Sequence, residues 1–473
     1  MTSRRDQLQS YQFMNQRVIS AFVMRETDPA QSPLRRGIGA LFGGLMIAVL
    51  VAAVYGIYGV LTRSGPDQWQ EDGSVVVERE TGASFVYLRD KLHPALNFTS
   101  AKLAAGRPNP QVFRVVAKSL TDVPRGVTIG IAGAPASLPN ADQQVRLPWS
   151  MCAVPEDPPR SVLLVGSSPA DSGADGAGPG GAGSGGAGSG GAPLGDRALL
   201  VAGDPAGGAN LVWQGRKHLI RNARVTVPAL FGAVSPTPVS VAWLNALPTG
   251  ADIAPIDVDD RGEASNAVDG FDNGDVLFNE TGNGRQFYLV LDDRLAPITP
   301  LQQAVLNAAF PADPQEISAA DVARFDPQPL DPDADPAVQG PQQVPDLAAI
   351  SQGTAACAVT QNSPNPPTVL IDVPAAALST AVPTEGATSQ GEALADAVQV
   401  PPGRFELIRS AGGLQLITDL GVRHPLADPD VAALLGYAPQ NATEIPTPLL
   451  NAIPAGVTLD PAEALKPVSA TVD

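Results

Sequence analysis

What this chain has little of narrows the field first. It holds two cysteines, three histidines and an aromatic content of only 5%. His93, His218 and His424 lie far apart, as do Cys152 and Cys357, so none of the close ligand spacings of a zinc or iron site is present. Neither Gly-Lys-Ser nor Gly-Lys-Thr occurs, which removes the lysine-bearing loop that cradles nucleotide phosphates. Basic side chains are in deficit, 30 against 48 acidic, for a net charge of −18. A nucleic-acid binder must neutralise phosphates in bulk, so that class is excluded. No serine or cysteine has the partner signature of a hydrolytic triad. Asp257 and Asp259 open like a calcium loop, but Arg261 and Val268 stand where an oxygen ligand and the closing glutamate belong. The sequence therefore offers no catalytic residue, no cofactor site and no metal ligand set. With 47 glycines and 47 prolines it favours short elements and many turns over a long coiled coil.

Against this background one stretch stands out. Gly37 to Leu61 contains neither a charged residue nor a proline. As a helix it rises roughly 37 Å, enough to cross a hydrocarbon core of about 30 Å with some tilt. The 36 residues before it carry six arginines and three acids, a net of +3, which leaves −21 for the rest of the chain. The Arg-rich flank belongs in the cytoplasm, so residues beyond the span are expected outside it. A cleaved signal peptide has a shorter apolar core and fewer residues ahead of it. Small residues recur along the span at Gly39 and Gly43, then at Gly44, Ala48, Ala52 and Gly56. Such a stripe lets another membrane helix approach closely. Ahead of the span, Leu8, Tyr11, Met14, Val18 and Phe22 recur at spacings of three and four and predict an amphipathic helix over 4–26. That face suits docking on a partner or lying on the anionic inner leaflet, as a membrane-lipid contact.

Beyond the span the chain repeats itself. Phe85–Arg107 matches Phe287–Ala309, Val115–Arg125 resembles Ala320–Pro329, and Leu244–Pro255 matches Leu450–Pro461. Between them, Cys152-Ala153-Val154 and Cys357-Ala358-Val359 are each followed by a Pro-Pro pair and an apolar run. Matches in constant order predict two homologous halves, about 80–255 and 280–461. Within the halves a plan of apolar strand, polar turn and short helix recurs four times, at Phe85–Gly106, His218–Gly232, Phe287–Ala309 and Leu414–Gly436. Units this small must pack on one another or on a common core. The segments carrying the cysteines, with Val162–Val165, Leu199–Ala202, Val369–Val373 and Phe405–Arg409, read as strands of a central β-rich element.

The two cysteines fall at equivalent places in the halves, outside the cytoplasm. In an oxidising compartment they read as a structural disulfide, the other reading being two buried free thiols. The equivalent of His93 is Ala296, so the histidines look structural. Gly166–Gly195 is a flexible insertion by composition, and Ala309–Leu347 reads as extended apart from a helix near Ile317–Phe325 capped by Ser318.

These residues resemble the EccB family, a membrane component of the actinobacterial type VII (ESX) secretion system. The resemblance is carried by Tyr11-Gln12-Phe13 with Arg17, the span after Arg35-Arg36, and Leu92-His93-Pro94-Ala95-Leu96-Asn97 running through Ser100-Ala101-Lys102-Leu103 to Gly106-Arg107-Pro108. Pro124-Arg125-Gly126, Ile129-Gly130-Ile131 with Gly133-Ala134-Pro135, both cysteines and Leu244-Asn245-Ala246-Leu247-Pro248 complete it. The chain departs from the family in its Gly-rich insertion and in lacking a long tail. The resemblance implies a single-span subunit of an inner-membrane complex assembled with EccC, EccD and EccE-like subunits, with copies of itself and with a mycosin protease. It also implies an α+β, β-rich periplasmic body of four small α/β repeats around a central domain, duplicated about a pseudo-two-fold axis. Some members carry an ATPase label. The expected role is a structural core subunit, the alternatives being an ATPase within the complex and a tethered cell-envelope-binding module.

The expected division runs as follows: a cytoplasmic segment 1–36, the span 37–61 and a linker 62–79. Then come repeat one, 80–126, the first central part, 127–204 with its insertion 166–195, and repeat two, 205–258. Repeat three, 280–330, is followed by a Pro/Asp-rich connection and second central part, 331–403, repeat four, 404–461, and a tail, 462–473.

Overall fold

The computed structural model describes residues 4–24, 34–61, 68–169, 190–203, 208–282 and 284–468. Most of the Gly-rich insertion and the last residues of the tail lie outside the described residues. The chain divides into two compact units, Met1–Glu71 and Asp72–Asp473.

The first unit holds two helices, α1 (Arg4–Met24) and α2 (Leu34–Leu61). Within α2, Ile38–Ile57 is long and apolar enough to cross a membrane, and none of it is buried by the rest of the chain. Helix α1 is described to Met24, and the last two residues of the expected helix, 25–26, lie outside the described residues.

The second unit is a mixed α+β, β-rich body. It opens with β1 (Ser74–Glu78), β2 (Ser84–Leu88), β3 (Lys91–Ala95), α3 (Phe98–Ala104) and β4 (Val112–Val115). Strands β5 (Trp149–Val154), β6 (Arg160–Leu164) and β7 (Ala192–Pro193) follow. Next come β8 (Ala198–Ala202), β9 (Ala209–Trp213), β10 (Arg216–Ile220), α4 (Ala223–Phe231), β11 (Thr237–Pro238) and α5 (Val241–Ala246). A third run comprises β12 (Val276–Thr281), β13 (Gly284–Val290), β14 (Leu295–Ile298), α6 (Pro300–Ala309), β15 (Gln315–Glu316) and α7 (Ala319–Phe325). After β16 (Leu347–Ala348) come β17 (Thr354–Thr360), β18 (Thr368–Pro374), β19 (Val382–Pro383) and β20 (Ala397–Gln399). The chain closes with β21 (Phe405–Ser410), β22 (Gly413–Thr418), β23 (Arg423–Pro425), α8 (Asp430–Leu435), β24 (Thr443–Glu444), α9 (Thr447–Asn451) and α10 (Pro461–Ala464).

Four small sheets share one plan. Their orders are β3-β2-β1-β4, β10-β9-β8-β11, β14-β13-β12-β15 and β23-β22-β21-β24, the second carrying a fifth strand, β16, parallel to β8. In each, the first three strands form an antiparallel meander, and a helix carries the chain back to a fourth strand parallel to the first. A helix is the economical way to make that parallel return. Strand β1 falls inside the segment expected to be a linker. Leu199–Ala202 and Phe405–Arg409, expected in the central element, are instead the first strands of two of these small sheets, β8 and β21.

The central sheet has the order β19-β20-β6-β5-β17-β18-β7. Its middle strands are buried on both faces. Trp149, Met151, Ala153, Ala356 and Ala358 join one core with Trp243, while Cys152, Val154, Ala355 and Cys357 join another with Leu378. That is why these strands read as continuous apolar runs with no polar alternation. The small sheets pack in pairs through their helices. Helix α3 meets α8 and α10 in one core, and Val227 of α4 meets Leu301 and Val305 of α6 in another.

Helix ends obey local chemistry. Asn97 accepts a hydrogen bond from the Ser100 amide to cap α3. Thr299 and Gln302 form a capping box on α6, with Pro300 at its first position. Ser318 caps α7, as its position predicts, by accepting from the Asp321 amide. Gly436 ends α8 at φ +90°, where a side chain would be strained.

Candidate functional site

The first candidate is the cysteine pair. Strands β5 and β17 run antiparallel with Cys152 directly opposite Cys357, and the two sulfurs are bonded at 2.08 Å. Both residues are fully buried. The bond links positions 205 residues apart, and closing a loop that long stabilises by roughly 2–5 kcal/mol.

The histidines turn out to be one device used three times. Each sits in the third strand of its small sheet: His93 in β3, His218 in β10 and His424 in β23. Each ring donates a hydrogen bond from Nδ1 to a backbone carbonyl 33 or 34 residues later: Val127 (3.1 Å), Ala251 (2.8 Å) and Val457 (3.0 Å). A carbonyl can only accept, so Nδ1 carries the proton. The residue before each carbonyl is a glycine lying against the ring. A Cβ at Gly126, Gly250 or Gly456 would sit 2.3, 2.2 or 2.5 Å from the imidazole. The same backbone ladder surrounds each pair. The amides of Gly126, Gly250 and Gly456 donate to the carbonyls of Leu92, Lys217 and Arg423, adding a parallel edge to the sheet. In the third sheet the position is Ala296, the later segment is Pro327-Gln328-Pro329, and the Gln328 amide still donates to Leu295. Histidine and glycine are thus absent together. The glycines escaped sequence reading, although a His and a Pro-x-Gly at constant spacing was the available signal. Burial lowers the pKa of His218 and of His424.

Around α3 the chain is wired by polar side chains. Asn97 Nδ2 donates to the Ile131 carbonyl (2.9 Å), Thr99 Oγ1 to the Pro135 carbonyl (2.6 Å), and Ser100 Oγ accepts from the Ile131 amide (2.9 Å). Buried Lys102 donates from Nζ to the Leu435 carbonyl at the C-terminal end of α8 (2.6 Å), and burial lowers its pKa. A cation placed there answers both the free carbonyl and the helix dipole.

The residues expected to dock on partners remain uncovered. Leu8, Tyr11, Met14, Val18 and Phe22 are all exposed on α1, Phe22 to 84%. Gly39, Gly43, Gly44 and Gly56 have open space beside them, and Ala48 and Ala52 are exposed. Among the described residues no group of histidine, cysteine and carboxylate side chains is placed to hold a metal ion.

Comparison with known proteins identifies the assembly context. The family model described as "Type VII secretion system ESX-1, transport TM domain B" (EccB) matches residues 1–470. The chain is 27% identical over 500 residues to the ESX-3 secretion system ATPase EccB3 of Mycolicibacterium smegmatis, covering 98% of this chain and 90% of that one. It is 28% identical over 490 residues to the ESX-2 secretion system ATPase EccB2 of Mycobacterium tuberculosis, covering 98% and 94%. Its fold is similar to a chain of the intact ESX-5 inner membrane complex, with a TM-score of 0.64 at 23% identity over 100% of this chain and 97% of that chain. It is also similar to the EccB3 dimer of the ESX-3 core complex, with a TM-score of 0.62 at 25% identity over 83% and 100%. On the match across residues 1–470, the chain belongs to the EccB family of type VII secretion proteins.

Proposed function

We propose that this chain is a structural core subunit of a type VII secretion complex in the inner membrane, contributing to the periplasmic part of the export machinery. The observation that carries the reading is the family match over the whole described chain, joined to a fold like that of inner-membrane-complex subunits. The Arg-rich N-terminal segment is cytoplasmic, α2 spans once, and the acidic body from Asp72 onward is periplasmic. The exposed face of α1, from Leu8 to Phe22, docks on a partner subunit or on membrane lipid. The small-residue stripe from Gly39 to Gly56 packs against a neighbouring span. Partners of this body are further copies of itself, EccC, EccD and EccE-like subunits, and a mycosin protease.

The four small sheets are copies of one unit, and the chain is a duplication of a two-unit half. Their common strand order and the backbone ladder beside each third strand support this. So does the central sheet, in which the β5–β6 and β17–β18 hairpins flank the disulfide. The approximate two-fold axis then runs between Cys152 and Cys357. The expected division into segments is kept, with the first unit starting at β1 and the second at β8.

Mild detergent extraction through a C-terminal tag, followed by identification of what co-purifies, tests the scaffold role. Recovery with other membrane subunits is expected, and recovery of a lone monomer overturns it. The names of the relatives favour a second reading, ATP hydrolysis. Hydrolysis by the purified chain, abolished by substitutions in one defined pocket, would establish it.

A further inference from the structure

A cleft of about 430 Å³ opens beside the second sheet, where Gln339–Gln342 cross over toward α6. We propose that this cleft binds an oligosaccharide. Its wall is the half-buried indole of Trp213, which packs on His218 with ring centroids 6.4 Å apart. The crossing segment is held at both ends, by the Ala251 amide donating to the Val338 carbonyl (2.7 Å) and the Leu301 amide donating to the Gln342 carbonyl (3.0 Å). Between those ties Gly340 lies against the His218 ring and Pro341 is buried, while Gln339 and Gln342 are exposed at the rim of the cleft. The carboxamides of Gln214, Gln339 and Gln342 line that space and make no hydrogen bond to any described residue. Asp252 also lines it, with its Oδ2 engaged by Arg221 at 2.8 Å.

The chemistry of this lining selects its ligand. A carboxamide is both donor and acceptor, which matches hydroxyl groups that are also both. An indole face offers a flat apolar surface with a polar edge, which matches the C–H face of a sugar ring. A pocket that is half apolar with convergent polar groups is the usual form of a small-ligand site. Arg216 also lines the cleft, its Nη1 donating to the Thr249 carbonyl at 3.4 Å, so inorganic phosphate is the comparison ligand that separates a saccharide site from an anion site.

The test uses the full chain in a detergent without a sugar headgroup, titrated by calorimetry with maltotetraose, cellotetraose and chitotetraose. Inorganic phosphate and a proline-rich peptide serve as comparison ligands. Binding of at least one saccharide is expected, weakened about tenfold or more by Trp213→Ala and by the Gln339→Ala/Gln342→Ala double variant. The glutamine variant lies on the exposed crossing segment and should keep the parental melting temperature, so its loss of binding is not a folding defect. Failure of every saccharide to bind overturns the proposal. Binding that survives both variants overturns it too, as does binding of phosphate or peptide alone. None of these outcomes bears on co-purification with membrane subunits, so this site and the scaffold role can fail separately.

Discussion

The first and fourth sheets pair through α3 and α8, while the second and third pair through α4 and α6; both pairs close on an apolar core, and the first adds buried polar fastening to it. In the first pair a buried lysine reaches across to end a helix, and Asn97, Thr99 and Ser100 fasten the loop that follows. In the second, Val227, Leu301 and Val305 meet in an apolar seam. The small-sheet plan thus fixes where helices meet but leaves open what joins them. Polar fastening is geometrically exact and fails steeply when one partner is lost. An apolar seam is tolerant, and its cost of truncation follows the volume removed.

The largest expected effect attacks what both pairs share. Gly456→Ala drives a methyl into the His424 ring, and Gly250→Ala does the same at His218. Each should destabilise by about 3 kcal/mol or more, because backbone and ring are both fixed. The third sheet manages with Ala296 and no glycine, so the double variant His424→Ala/Gly456→Ala should be less damaging than Gly456→Ala alone. Thermal unfolding of the three variants checks this, and an additive double variant would break the lock interpretation. Next in size, Leu301→Ala in the apolar seam should cost about 3 kcal/mol. Lys102→Met keeps the bulk, strands the Leu435 carbonyl and should cost about 2 kcal/mol. If Lys102→Met proves neutral, the buried cation adds nothing to the apolar core of the first pair, and the contrast fails.

Much of the fold was legible because its signals are local. The candidate span shows as an uninterrupted apolar run, and the Ser318 cap as a side chain at the right spacing. The central strands β5 and β17 were legible because burial on both faces leaves an unbroken apolar string. What escaped was membership of a sheet. Leu199–Ala202 and Phe405–Arg409 are as apolar as the central strands, since each small sheet is also covered on its buried face. Nothing in their composition says which neighbour supplies the hydrogen bonds. The glycines against the histidines escaped for a related reason: the requirement for no Cβ comes from a ring 32 or 33 residues away. The cleft beside Trp213 depends on where a proline-rich segment crosses the second sheet, which no residue pattern encodes.

Smaller effects sharpen the contrast between helix starts. Asn97 both caps α3 and fastens Ile131, whereas Thr299 only caps α6. Asn97→Ala should therefore cost about 2 kcal/mol and Thr299→Ala about 1 kcal/mol. Equal losses in thermal or urea unfolding would mean that the Ile131 bond contributes nothing beyond the cap.

The smallest expected effect is a dependence on pH that belongs to one pair alone. At the position where β8 carries Leu199, β21 carries Glu406, matched through the pairs Val201↔Thr237 and Ile408↔Thr443. The Glu406 carboxyl is fully buried, and that burial raises its pKa to about 7. Hydrogen bonds from Thr443 (2.7 Å) and Gln144 (3.4 Å) oppose the rise, as does the charge of Arg146. Oε2 has no partner among the described residues. The folded pKa lies above the unfolded one, so the fold is favoured by this group below about pH 4.5 and loses that stability as pH rises through 7. Between pH 6 and pH 8 the loss is about 1 kcal/mol. His218 and His424, whose pKa values are lowered, act in the opposite sense, withdrawing stability as pH falls below about 6.5. Glu406→Leu makes the fourth sheet match the second. Unfolding followed across the pH range should then lose its alkaline slope and keep its acid one. A variant that still destabilises between pH 6 and pH 8 would show that the titration belongs elsewhere in the body.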